Sequence, residues 1–229
     1  MNFKEMLSSF MPGFDPTPLA EKFRSAAAVM AGILLLGWIV HLLFPDTGYF
    51  GPSMLSSMAA AALLVYAVPH SPMAQPWPLV VGNLVSAVVG VTCAILIPGT
   101  LWAAAGAAGL AVLAMHLTRS LHPPGAATAL FMVLNEPVFQ QHGWLWSGGV
   151  VLANVMLTLM LALVINNLIH LGRYPVRRHH APVTPAAGPT LTESDVEWAM
   201  RQMEGVTDVS EEDLLEIFRL ACLHAQKKN

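Results

Sequence analysis

Long apolar runs separated by short polar breaks fill the middle of the chain, while charged residues collect at its two ends. The runs cover Phe23 to Phe44, Pro52 to Val68, Leu79 to Ile97, Thr100 to Thr118 and Trp146 to His170, with a shorter one from Pro123 to Leu134. Between Ser25 and Gly172 only Asp46, Arg119 and Glu136 carry a formal charge. A soluble core would intersperse far more charge, so the pattern predicts an all-α, polytopic membrane helical bundle.

A helix needs about 20 residues to cross roughly 30 Å of hydrocarbon, and about 12 residues reach some 18 Å. Pro123 to Leu134 therefore cannot cross unaided. It is either a re-entrant hairpin or the helical half of a crossing whose other half is the extended segment Arg119 to His122. Lys4, Lys22 and Arg24 precede the first span, and Arg173, Arg177 and Arg178 follow the last, so the positive-inside rule places both termini in the cytoplasm. That demands an even number of crossings. Six membrane segments is the expectation, with Arg119 on the cytoplasmic side.

Pro52 and Pro123 stand 71 positions apart, and so do Asn83 and Asn154. Six segments divide into two sets of three, which gives the halves opposite orientations. The reading is an inverted repeat, against chance coincidence of a few identities. In the repeat, two short Pro-initiated helices, from Pro52 and from Pro123, start from opposite faces and aim their N-termini at a shared midplane. Gly82, Ser86 and Gly90, and again Ser53, Ser57 and Ala61, recur every four residues and let helices approach closely, within one subunit or in a homo-oligomer.

The chain divides into a cytoplasmic segment 1–22, a transmembrane domain 23–172, a basic and Pro-rich linker 173–190, and a small cytoplasmic helical tail 191–229. The tail reads as two amphipathic helices, capped by Thr192 and Ser210, that pack on each other, on the membrane domain or on a second subunit. The first apolar run is followed by no small-residue cleavage pattern, so it is expected to stay as an anchor.

The net charge of −3 gives no argument for nucleic acid. Cys93 and Cys222 lie in different environments and have no metal-ligand spacing. His41, His116 and His122 lack an intramembrane carboxylate or thiolate to complete a ligand set, so neither metal nor other cofactor is expected. Ser-His-Asp chemistry lacks its acid, which argues against an enzyme.

What chemistry remains gathers at one place. An Arg at the bilayer centre costs roughly 2.5 to 3.5 kcal/mol, so Arg119 sits at the interface or lines a wet cavity. Pro123, Pro124, Gly125 and Ala126 suit a first helical turn whose partial positive charge attracts an anion. Arg119 and His122 would add donors there, and Thr128 lies one turn on. The alternative is that Pro-Pro ends the preceding helix and Arg119 is a topology anchor. At the other candidate helix start, Gly51, Pro52 and Ser53 with Ser56 and Ser57 offer small donors and no cation. Asn83 and Asn154 hydrogen-bond between helices or line a path.

The stretch Ser120-Leu121-His122-Pro123-Pro124-Gly125-Ala126-Ala127-Thr128-Ala129-Leu130, with Ala67-Val68-Pro69-His70-Ser71-Pro72-Met73-Ala74-Gln75-Pro76-Trp77, resembles the HPP family of integral membrane proteins over roughly Phe23 to Arg178. The resemblance implies four spans. It also implies nitrite transport, associated with plastid and cyanobacterial members, while many bacterial members add cytoplasmic CBS domains. Asn83 stands where that family has a His, which weakens a proton-coupled role at that position, and the tail from Thr190 resembles the segment leading into CBS domains without them. The expected function is a transporter or channel for a small inorganic monovalent anion, nitrite by resemblance, in the lipid bilayer of a bacterial inner membrane. A membrane scaffold or regulator acting through the cytoplasmic tail is the alternative.

Overall fold

A computed structural model describes residues 19–47, 51–170 and 174–175, and every regular element among them is helical. Helix α1 spans Leu19–Leu43 and carries Glu21 in its first turn, where the helix dipole favours a negative charge. It stops just before Pro45, whose ring disfavours helical backbone in the residue ahead of it. Helix α2, Ser57–Ala67, ends before Pro69 for the same reason. Helix α3 covers Pro78–Leu96, its first turn wound wide over Pro78–Gly82. Helix α4 is Thr100–Leu117, α5 is Pro123–Leu134, α6 is the short Glu136–His142, and α7 is Trp144–His170. Gly99 and Gly143, at φ of 84° and 88°, turn the chain into α4 and α7, a conformation that L side chains rarely adopt.

Helices α1, α3, α4 and α7 are long and apolar enough to cross a membrane. The expectation of six segments is met only with a correction: among the described residues there are four helices of full membrane-spanning length and two shorter apolar helices, α2 and α5, of 11 and 12 residues. A second correction concerns Pro52. No helix begins there. Pro52 lies in a turn closed by Met54 N–H donating to Gly51 C=O at 2.9 Å, and α2 starts only at Ser57. The backbone from Ser53 to Leu55 is instead held by Asn154, which prevents it from continuing the helical ladder. Pro123, by contrast, is the first residue of α5 as the sequence predicts.

Side-chain contacts sort the loops onto two faces. Trp77 Nε1 donates to Thr118 O at 3.3 Å, and Tyr174 Oη donates to Ala74 O at 2.8 Å, so residues 68–77, 118–122 and 174 share one face. The Phe44 and Trp146 rings meet edge to face at 5.6 Å, and Phe139 also reaches Trp146 at 6.3 Å, which gathers the α1 end, α6 and the α7 start on the other. The start of α1 and the end of α7 therefore lie on the Arg119 face. The N-terminal segment up to residue 18, nearly all of the linker and the whole tail fall outside the described residues.

The repeat extends beyond the identities that suggested it. At the 71-residue spacing, buried Gly32, Leu36 and Val40 of α1 fall on buried Ala103, Ala107 and Ala111 of α4, and Ser57, Met58, Ala61 and Ala62 of α2 fall on Thr128, Ala129, Met132 and Val133 of α5. In the third helices, Leu79, Asn83 and Ala87 fall on Val150, Asn154 and Thr158, all buried. Packing obeys the same exchange. Helix α1 packs on α2 as α4 does on α5, while α7 lies against α1 and α2 as α3 lies against α4 and α5. Each third helix thus completes the opposite half, and α2 meets α5 across the centre.

The stripe Gly82, Ser86, Gly90 packs within the chain. A methyl at Gly90 would fall 2.5 Å from Ala129 O, and one at Gly82 would fall 2.6 Å from Ser120 O. Gly90→Ala should accordingly lower stability by about 1–3 kcal/mol, because backbone rather than a flexible side chain must yield. Gly109 on α4 has open space around it, so Gly109→Ala should leave stability unchanged or raise it by roughly 0.5–1 kcal/mol. Thermal unfolding in detergent of the two variants checks this; equal shifts would contradict the α3–α5 contact.

Candidate functional site

Three buried polar clusters occupy the places where the short helices begin. The first is central. Ser57 on α2 and Thr128 on α5 bring their hydroxyl oxygens to 2.7 Å. Thr128 has one proton to give, and besides Ser57 it faces Asn83 Oδ1 at 2.6 Å and, farther off, Pro124 O at 3.2 Å, both of which can only accept. Ser57 must therefore be the donor to Thr128. Asn83 Nδ2 then donates to Leu79 O at 2.7 Å, completing a directed chain across three helices.

The second cluster is the Pro52 side, and it is already satisfied. Asn154 Oδ1 accepts from Leu55 N–H at 3.2 Å, and its Nδ2 donates to Ser53 O at 2.7 Å and Val150 O at 2.9 Å. Asn154 stands ten residues into α7, so this segment dips about 15 Å along that helix. Ser53 is buried and its hydroxyl lies 2.5 Å from that of Thr47. Ser56 is exposed and caps nothing. Leu55 N–H and the Ser53 hydroxyl are thus already taken.

The third cluster, at the α5 N-terminus, is not satisfied. His122 is fully buried in extended backbone (φ −141°, ψ 102°) just ahead of Pro123. Its Nδ1 lies 2.9 Å from Met73 O, while Nε2 has no hydrogen-bond partner among the described residues. Ser86, also fully buried, leaves its Oγ without a partner, only 2.8 Å from where a methyl on Gly125 would stand. A methyl on Gly82 would stand 2.9 Å from the His122 Cβ, so Ser86 and His122 both belong to the close α3–α5 contact.

The backbone contributes less here than the sequence suggests. Pro123 and Pro124 have no N–H, and Gly125 N–H is taken by His122 O at 2.7 Å. What remains is the positive end of the α5 dipole together with side-chain donors. Ala126 is half-buried beside them, and Thr128 is engaged in the central chain.

Arg119 is exposed and makes no side-chain bond or ion pair with the described residues. Its backbone is informative. Ser120 N–H donates to Met115 O at 2.9 Å and Arg119 N–H to His116 O at 3.1 Å, the closing pattern of a helix whose next residue is left-handed. Arg119 occupies that left-handed position at φ 51°, where glycine is the usual choice. An arginine held there costs about 1 kcal/mol.

Sequence reasoning found Arg119, His122, Asn83, Asn154 and Thr128, but it read Ser57 and Ser86 mainly as packing residues and could not see the Met73 carbonyl. Ser57 was findable, since it falls on Thr128 at the spacing of the repeat. The structure joins His122 to the Gly125 turn and Asn83 to Thr128, and it sets Pro52, Ser53 and Asn154 apart on a route from the other face.

This geometry is that of a helical membrane bundle with two short helices packed among four longer ones. The family described as HPP, transmembrane region, matches residues 15–175, and the chain belongs to that family of integral membrane proteins. One transmembrane protein of Dictyostelium discoideum is 34% identical over 179 residues, covering 76% of this chain and 62% of its own length. Another from the same organism is 39% identical over 127 residues, 54% of this chain and 40% of its own. The chain thus spans less than two thirds of either relative. No solved structure matches it.

Two variants test the local account. Arg119→Gly should raise stability by up to about 1 kcal/mol by relieving the left-handed backbone; a marked loss would mean that the Arg119 side chain holds the fold. Asn154→Ala should lower stability by about 1–3 kcal/mol, since Leu55 N–H and Ser53 O would lose their buried partners. Chemical unfolding in detergent reads both.

Proposed function

We propose that the protein carries a small monovalent anion, nitrite by family resemblance, across the membrane, with the α5 N-terminus as its site. The supporting observation is the pair of fully buried, unpartnered polar atoms, Ser86 Oγ and His122 Nε2, beside the positive end of a short helix inside the bundle. Unpaired buried polar atoms cost free energy, on the order of 1–3 kcal/mol each, which a bound ligand recovers. Arg119 at the end of α4 adds a full positive charge to that face. Among the described residues, the carboxylates Asp46 and Glu136 lie at the ends of α1 and α5 on the opposite face, and Glu21, at the start of α1 on the Arg119 face, is ion-paired with Arg24 at 2.9 Å. Modest positive potential without a dense charge cluster suits an ion that must leave as readily as it binds. The Arg119 face is the cytoplasmic one, as the flanking Lys and Arg residues require.

Flux in proteoliposomes, set against protein-free vesicles, tests the reading. Arg119→Ala should reduce nitrite flux about tenfold or more, and Arg119→Lys should keep part of it by retaining the point charge. Arg119→Gly should do the same damage as Arg119→Ala while unfolding no earlier than the parent. Parent-like flux in Arg119→Ala would reduce Arg119 to a topology anchor, and no flux in the parent would favour the scaffold.

A further inference from the structure

We infer that the site beside His122 takes its anion together with one proton, an inference that rests on the anion reading above. The Met73 carbonyl can only accept a hydrogen bond, so the His122 nitrogen 2.9 Å from it, Nδ1, bears a hydrogen. In the neutral ring Nε2 is then a bare lone pair. That atom is unpartnered on a fully buried residue.

An anion alone does not fit such a group, because it would bring its own lone pairs against the lone pair on Nε2. The first three backbone positions of α5 cannot compensate, since Pro123 and Pro124 have no N–H and Gly125 N–H is already bonded. A single proton removes the conflict. Placed between Nε2 and the anion, it makes Nε2 a donor or the anion an acid, and the charge of the assembly is the same either way. Ser86 Oγ, unpaired at the same α3–α5 contact, can donate a second hydrogen bond to the anion. On release, anion and proton leave together and the ring returns to its neutral form.

The ionisable groups on the described segments around His122 are His116 and Arg119 at the end of α4, His70 in the 68–77 segment and Cys93 on α3, with Tyr174 held to the 68–77 segment by its bond to Ala74 O. The first three are exposed, Cys93 is buried farther along its helix, and none of these segments carries a carboxylate. His122 is the one buried histidine among them. The central chain through Asn83 has no titratable member and cannot take its place.

The test uses the full chain in vesicles holding a trapped pH dye, with the membrane potential clamped by potassium and an ionophore. An inward nitrite gradient should acidify the interior beyond the protein-free background, with one proton per nitrite. Flux should fall about tenfold for each unit of rising external pH in the alkaline range, as proton supply fails. His122→Gln, which keeps a donor for Met73 but no titratable nitrogen, should lose the acidification while staying folded. Nitrogen NMR of the His122 ring in the parent should show hydrogen on Nδ1 and none on Nε2 at neutral pH. Nitrite flux above background that carries no proton and follows voltage overturns the coupling and leaves the anion reading standing. Absence of flux above background overturns both, and hydrogen on Nε2 at neutral pH overturns the coupling whatever the flux.

Discussion

Two helices of 11 and 12 residues are too short to cross a bilayer, yet they lie inside a bundle of four that are long enough. Their broken ends cannot turn to water, so the protein must satisfy them internally, and the rest of the structure follows from how it does so. At the α2 start Asn154 reaches from α7 and bonds Ser53 O and Leu55 N–H, the backbone groups that follow Pro52. Where the two short helices meet, Ser57, Thr128, Asn83 and the Leu79 carbonyl form one directed chain. At the α5 start the solution is incomplete, with Ser86 Oγ and His122 Nε2 left over. Function is read from that difference between otherwise corresponding places.

The swap of third helices explains why the small residues stand where they do. Because α3 completes the half made by α4 and α5, it must lie against α5 closely enough that Gly82, Gly90 and Gly125 leave no room for a methyl. The same closeness that would stabilise any packed pair here also buries Ser86 and His122. In the other half, α7 meets α2 through larger residues and with polar bonds, Thr158 Oγ1 donating to Met58 Sδ at 3.3 Å and Asn166 Nδ2 to Val65 O at 2.9 Å.

Much of this was legible in the sequence because lipid leaves few options. The lengths of the apolar runs place α1, α3, α4, α5 and α7 within a few residues, and the prolines at 45, 69 and 98 mark where helices stop. Pro52 misled for a physical reason: a proline favours a first helical turn, but here a distant asparagine, Asn154, captures the next backbone groups and delays the helix to Ser57. Arg119 and His122 stood out as polar residues in an apolar stretch. Their roles did not, since exposure of the one and complete burial of the other depend on where the α4 end folds back. Ser57 and Ser86 resemble packing residues by size, and only the partners that surround them, or fail to, separate a bonded hydroxyl from an unpaired one.

The central claim is that the unpaired atoms beside the α5 start form the anion site. Crystals soaked in bromide, with data collected at its absorption edge, test it most directly. The account predicts an anomalous peak within hydrogen-bond distance of Ser86 Oγ and His122 Nε2, stronger at low pH. A peak at the Ser53 turn instead, or none within the bundle while bromide occupies the surface, would contradict it.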